Sequence, residues 1–360
     1  VLFRSMTTVT HGLVCAHHHL YSSLARGMPA PPTQPESFLG VLEQIWWRLD
    51  AALDLEMIKW SAALGAAEAV LSGTTAIIDH HESPNAIEGS LDAIIEGCAL
   101  TGVRVVPCYG VTDRWSDSGV LREVSPNTPM SKAARLGLEE CERVLAAGEK
   151  AMVGVHAAFT CGDETLSAAA ALATRHGVGV HIHVAEGPDD TAAATRLQSM
   201  TRENWLLVHC VGLDDELRGT VIHNPRSNMN NRVGYARPSR FANPVALGTD
   251  GIGADMAEEF RLAFVAGRND DLGFSPETAW AWLRGGERLV PEVANDTVTW
   301  NYDHMDSPWH VAFTPGTRPQ GVTIDGRDIV RGGEVVGFDI HEIRAKAAEQ
   351  SVRLHERLAA

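Results

Sequence analysis

The chain has 360 residues, 44% of them hydrophobic and 21% charged, which is enough apolar material for a sizeable core and too little charge for a disordered tail. Its 30 Lys and Arg against 46 Asp and Glu leave a formal charge of −16, so the basic face that a nucleic-acid backbone or an anionic membrane needs is excluded. Six dispersed cysteines with no C-x-x-C pair, no apolar run near the roughly 18 residues of a membrane span and no signal-peptide pattern predict a reduced, cytoplasmic protein that acts on small molecules.

From Val14 to Gly251, short β-branched or apolar runs alternate with Ala/Leu/Glu-rich stretches, the pattern of parallel strands joined by crossover helices. Eight runs read as strands, at residues 12–19, 74–81, 103–112, 151–160, 178–186, 205–211, 220–224 and 244–250. Eight such units within about 250 residues predict an α/β fold, a (β/α)8 TIM barrel. An open doubly wound sheet would want a G-x-G-x-x-G after its first strand, and none is there. The first crossover is the longest. It runs through Pro29-Ala30-Pro31-Pro32 into a helical stretch at 38–71, whose Trp46, Trp47 and Trp60 read as helix-packing residues. Further helices are predicted at 87–100, 131–147, 164–176, 191–202 and 277–289. Only residues 212–219 separate the sixth and seventh runs, short for a crossover that takes about ten to twelve residues. After Asp250 the composition changes. Short strands at 298–302, 322–324 and 335–338, then a helix at 340–358, predict a small β appendage. The domain reading is therefore residues 1–11 as the remnant of an N-terminal β segment, 12–290 as the barrel, and 291–360 as C-terminal strands and a terminal helix.

Half of the 16 histidines fall at or beside the ends of these runs: His17, His19, His80, His81, His156, His183, His209 and His223, with Asp250 ending the eighth. Strand C-termini of a parallel barrel open onto one face, where active sites are built. On a strand, residues i and i+2 share a face, so His17 and His19 can reach one metal while His18 points away, and of His80 and His81 only one can point inward. His181 and His183 also share a face, with Glu186 three residues beyond. Imidazoles joined by one carboxylate suit a zinc-type metal with a position left open for water, whereas calcium or magnesium would want more oxygen ligands.

The segments LVCAHHHLYSSLARGM (13–28), WWRLDAAL (46–53), IDHHES (78–83), HIHVAE (181–186), HNPRSNMNN (223–231) and LGTDGIGADM (247–256) resemble the amidohydrolase superfamily. Within it they are similar to the branch of guanine, 8-oxoguanine and S-adenosylhomocysteine deaminases and triazine chlorohydrolases, and most of all to SsnA-type aminohydrolases. The resemblance implies one divalent metal, zinc or alternatively iron, held by His17, His19, His183 and Asp250, with His209 beside it or ligating it. It implies Glu186, His209 and Asp250 as catalytic groups in an aminohydrolase. Metal-activated hydroxide would attack an sp2 carbon of a nitrogen heterocycle, Glu186 would protonate the neighbouring ring nitrogen, and ammonia would leave. His156 matches a fourth-strand substrate contact. His81, Arg226 and Asn228 are further candidates to bind substrate, although Arg226 and Asn228 could equally hold their own loop.

Family members carry a longer segment ahead of the first strand, which forms a β sandwich with the C-terminal part. Here residues 1–11 precede it, and Val1-Leu2-Phe3-Arg4-Ser5 reads like a translated adapter. The sandwich is therefore expected to be incomplete, and the crossovers after strands five, six and seven look shortened. Two alternatives stay open: a chlorohydrolase or N-dealkylating hydrolase built on the same centre, and a truncated, inactive metal-binding fragment. The expected partners are a small heterocyclic substrate and, at most, a second copy in a homodimer.

Overall fold

Eight parallel strands pair in chain order: Leu13–His18, Thr74–His81, Arg104–Val111, Val153–Ala157, Val180–Val184, Leu206–His209, Thr220–His223 and Val245–Leu247. They are seen in a computed structural model that describes residues 7–359. The first six residues of the expected N-terminal remnant, and with them the adapter-like stretch, lie outside the described residues. The barrel closes where a parallel bridge joins His18 to Asp250 and the Thr249 amide donates to the His17 carbonyl at 2.9 Å. This is the expected (β/α)8 barrel.

Its interior is filled below the mouth by one apolar cluster that includes Val14, Ala16, Ala76, Ile78, Val106, Leu206, Val208, Ile222 and Ala246, with Val290 and Val293 beneath. The larger cluster, which includes Ile77, Val155, Ile182 and Phe260, packs strands against the outer helices. The alternation of these residues decides which side chains reach the centre of the mouth.

The short crossovers leave the barrel intact. Strands six and seven pair directly (Leu206 with Thr220, Leu207 with Val221), and buried Leu213 and Leu217 of the intervening loop cover them without a helix. The helix expected at 191–202 shrinks to Ala193–Leu197, because Asp190 pins the preceding loop by accepting from the amides of Ala185 and Phe159. A helix that the pattern does not announce runs over Met256–Asp270, capped by Asp255, whose side chain accepts from the Glu258 amide. The long first crossover breaks into short helices at Phe38–Val41, Leu42–Trp46 and Trp47–Ala52 before the regular helix Leu55–Leu71.

The appendage is a five-stranded antiparallel sheet in the order Val9–Thr10, Thr297–Trp300, Pro319–Ile324, Arg327–Arg331, Glu334–Val335. Trp300 joins it to the barrel. Its Nε1 donates to Thr10 Oγ1 at 2.9 Å, and its ring lies so close to Gly73 (φ 87°) that a Cβ there would stand 2.5 Å from it. Helix Ile340–Ala359 then returns to pack on Leu55–Leu71. Among the described residues no helix is long and apolar enough to cross a membrane.

Candidate active site

Ala76 and Ile78 face the barrel interior, so the second strand delivers His80 inward. The first and sixth strands break the alternation to do the same. Val14 and Ala16 are interior, yet the ladder shifts register between Cys15 and His18 and His17 turns into the mouth. Val208 is interior, and His209 follows it only because its backbone takes the left-handed conformation (φ 70°). Asp250 is held the same way (φ 56°). Each such residue costs about 1–3 kcal/mol, the kind of strain that surrounding structure sustains at functional sites.

One atom each from His17, His183, His209 and Asp250 falls within 4.8 Å of the others, and so does one from each of His19, His80 and His183. Asp250 Oδ1 lies 2.9 Å from His19 Nε2 and 3.4 Å from His17 Nε2, while Oδ2 lies 3.9 Å from His209 Nε2 and takes the Ser227 hydroxyl. Burial alone would raise the Asp250 carboxyl, but the His17 and His19 imidazoles that face it outweigh this and hold the group well below the usual carboxylate range. Burial also pushes the His17 and His183 imidazoles well below their usual range, whereas at His19 the Asp250 carboxylate overrides burial and raises the ring to about 9; a metal would take all three in the neutral form. His17 Nε2 and His209 Nε2 are buried without a hydrogen-bond partner and face Asp250, the carboxylate that clusters with both. Unpaired buried nitrogens of this kind are costly unless something binds them. The chemistry of the set, imidazoles with a single carboxylate, suits a divalent transition metal.

A cleft opens over these groups. His19, His183 and Asp250 lie in its lining with the aromatics Phe38, Trp46, Trp47 and Phe159 and the acids Asp50, Glu82 and Glu186. Burial raises the Glu186 carboxyl to about 7 against the pull of His209, whose Nε2 is 3.3 Å from Glu186 Oε2. His156 also lines the cleft, with Nδ1 2.8 Å from Thr160 Oγ1 and Nε2 3.8 Å from Glu82 Oε1.

Four expectations change. His81 turns away from the cleft to Ser83 Oγ at 2.9 Å, because its neighbour His80 takes the inward place. Arg226 is drawn to the outer helix, its amide donating to Glu259 Oε1 at 3.0 Å and its guanidinium 3.7 Å from both Glu258 and Glu259. Asn228 meets His209 Nδ1 at 2.8 Å with its Oδ1, underneath that ring rather than in the lining of the cleft. Trp46 and Trp47, assigned to helix packing, instead line the cleft, while Trp60 does pack between helices.

Sequence reasoning misses the acidic side of the cleft. Asp50 and Glu82 both accept from Nη2 of buried Arg114, at 2.7 Å for Asp50, and the guanidinium lies 4.8 Å over the Trp47 ring. Burial raises both carboxyls, Asp50 further through the charge of Glu82, while Arg114 works against the rise. Glu82 carries a usable signal, since it directly follows the second strand; Asp50 and Arg114 carry none.

A model of the amidohydrolase family matches residues 8–283. The chain is 30% identical to a 5'-deoxyadenosine deaminase of Methanopyrus kandleri over 95% of its own length and 86% of that protein. It is 28% identical to one of Methanothermobacter thermautotrophicus over 90% and 82%. Among solved structures it resembles an adenosine deaminase from Xanthomonas campestris with bound zinc (TM-score 0.80, 19% identity, 98% of this chain and 87% of that one). The atrazine chlorohydrolase of Arthrobacter aurescens follows closely (TM-score 0.75, 19% identity, 96% and 88%). At such identities these two likenesses speak for the fold.

Proposed function

The chain belongs to the amidohydrolase family, and on that footing we propose that it is a zinc-dependent deaminase of an adenine-type nucleoside. The observation that carries this reading is the cluster of His17, His183 and His209 around Asp250, with the buried Nε2 atoms of His17 and His209 unpaired, beneath an aromatic cleft edged by Glu186. Zinc, present in the Xanthomonas campestris structure, would be held by His17, His19, His183, His209 and Asp250, and when bound it supplies a lowered pKa for water and Lewis acidity.

The protein's own groups do the rest. Asp250 stands where it can take a proton from the attacking water and later pass it to the departing amine. Glu186, beside His209 at the cleft edge, delivers a proton to the ring nitrogen next to the attacked carbon, and His209 steadies the charge that develops. Trp46, Trp47 and His156 flank the heterocycle. Asp50 and Glu82, tied to Arg114, are acceptors suited to the hydroxyls of a sugar, in line with the 5'-deoxyadenosine deaminases among the relatives.

The test is ammonia release from 5'-deoxyadenosine, adenosine and guanine by the zinc-loaded chain, with atrazine and chloride detection alongside. Ammonia from the adenine nucleosides supports the reading. No ammonia from any amine, or chloride from atrazine alone, overturns it.

A further inference from the structure

We propose that His181 is a positioning residue that sets which nitrogen of His17 carries the proton, and through it the affinity of the centre for its metal; this rests on the metal reading above. His17, His19 and His209 turn Nε2 towards Asp250, and His183, whose Nδ1 is taken by a carbonyl, has Nε2 left for the same cluster, so each must keep its own proton on Nδ1 if it is to ligate. For three of them the partner of Nδ1 settles the matter. His19 Nδ1 donates to the His80 carbonyl at 2.6 Å, His183 Nδ1 to the His156 carbonyl at 2.7 Å, and His209 Nδ1 to Asn228 Oδ1 at 2.8 Å. Those oxygens can only accept.

His17 differs. Its Nδ1 lies 2.8 Å from Nε2 of His181, a nitrogen that accepts in one tautomer and donates in the other. His181 lies two residues before His183 on strand Val180–Val184, hence on the same inward face and one pleat deeper. Both rings are fully buried, 4.9 Å apart at an interplanar angle of 78°, so water does not stand in for either partner.

The contact favours metal binding in only one proton arrangement. If His181 holds its proton on Nδ1, its Nε2 accepts from His17 Nδ1, and His17 Nε2 is left bare towards Asp250. If His181 holds its proton on Nε2, it donates to His17, whose own proton must then sit on Nε2 and block ligation. The first arrangement needs an acceptor beside His181 Nδ1. Cys108 Sγ stands there at 3.5 Å, with its own proton directed to the Asp79 carbonyl at 3.4 Å, leaving a sulfur lone pair for His181. The relay therefore runs from Cys108 through His181 to His17, and it replaces the oxygen that each of the other three ligands has.

The experiment is a zinc titration of the metal-stripped chain against a chelating dye, for wild type, His181→Gln and His181→Phe. Gln keeps an oxygen acceptor within reach of His17, and Phe keeps the ring while removing it. The expected result is an affinity loss of about 10- to 100-fold for Phe, recovered for the most part by Gln. The cobalt(II) absorption bands should shift in the Phe variant only. Equal zinc affinities in all three proteins would overturn the proposal, as would a loss in Gln as large as in Phe. A wild-type chain that takes up no zinc would overturn the metal reading and this inference together, whereas normal uptake that ignores His181 overturns this inference alone. Should His181→Phe fail to fold, ring 15N NMR of the zinc-loaded wild type reads the tautomer: a proton on His181 Nδ1 supports the proposal, and one on Nε2 overturns it.

Discussion

Asn228 Oδ1 accepts the Nδ1 proton of His209 across 2.8 Å, with both side chains buried. His209 has left the extended conformation of its strand, so the strand does not orient its ring, and the helix Pro225–Asn230 does so through Asn228. Asn228→Ala is expected to lower zinc affinity about 10-fold or more, while Asn228→Asp, which keeps the acceptor, retains most of it. Chelator competition on the two variants checks this, and wild-type affinity in the Ala variant would show that His209 needs no such support.

Asp250→Asn keeps the shape of the group and removes its charge. Because Asp250 is the one carboxylate among the clustered imidazoles, the variant is expected to lose about two to four orders of magnitude in kcat/KM for ammonia release. The barrel should persist, since its closing bonds at His17, His18 and Asp250 are backbone. A thermal melt near that of wild type, beside an inactive enzyme, is the expected pair of results; turnover at the wild-type rate refutes the role.

Two glycines seat the aromatic cover of the cleft. A Cβ at Gly251 would stand 2.1 Å from the Trp46 ring, and one at Gly187 would stand 2.3 Å from Phe38. Gly251→Ala must therefore displace Trp46 from its place over the centre. The expected outcome is a rise in KM of about tenfold, the worth of one lost apolar wall, with a smaller change in kcat and an altered tryptophan emission. Unchanged KM would mean that Trp46 does not wall the bound substrate.

Strand Thr74–His81 matches the sequence reading residue for residue, because a buried parallel strand is a short apolar run whose chemistry gathers at its C-terminal end. Phase is harder to read. Alternation allows either His80 or His81 inside, and the choice falls to His80 only because Ala76 and Ile78 fill the interior below it. The register shift at His17 and the left-handed turn at His209 are tertiary events that no local pattern announces. Asp50, Glu82 and Arg114 meet from a crossover helix and from just beyond two different strands, and nothing in their spacing ties them together.

Asp54 ties the C-terminal helix to the barrel wall. Its Oδ1 accepts from the Met57 amide at 3.0 Å as the N-cap of Leu55–Leu71, and its Oδ2 takes Arg353 at 2.8 Å and Arg357 at 2.6 Å from helix Ile340–Ala359. Partial burial would raise the carboxyl, but the Met57 amide and the two arginines outweigh it and lower its pKa. A group whose pKa is lowered by folding contributes stability above its unfolded value, about 3.9, and loses it as pH falls through the folded value. Asp54→Asn keeps an oxygen for the cap and removes only the charge, so at pH 7 it should cost up to about 1 kcal/mol, the scale of a partly exposed ion pair. Asp54→Ala removes the cap as well and should cost about 1 kcal/mol more. As pH falls below the usual carboxylate range, the melting temperature of wild type should converge on that of Asp54→Asn while Asp54→Ala stays below both. A gap between wild type and Asp54→Asn that is the same in strong acid as at neutrality would show that the charge on Asp54 does not hold the helix.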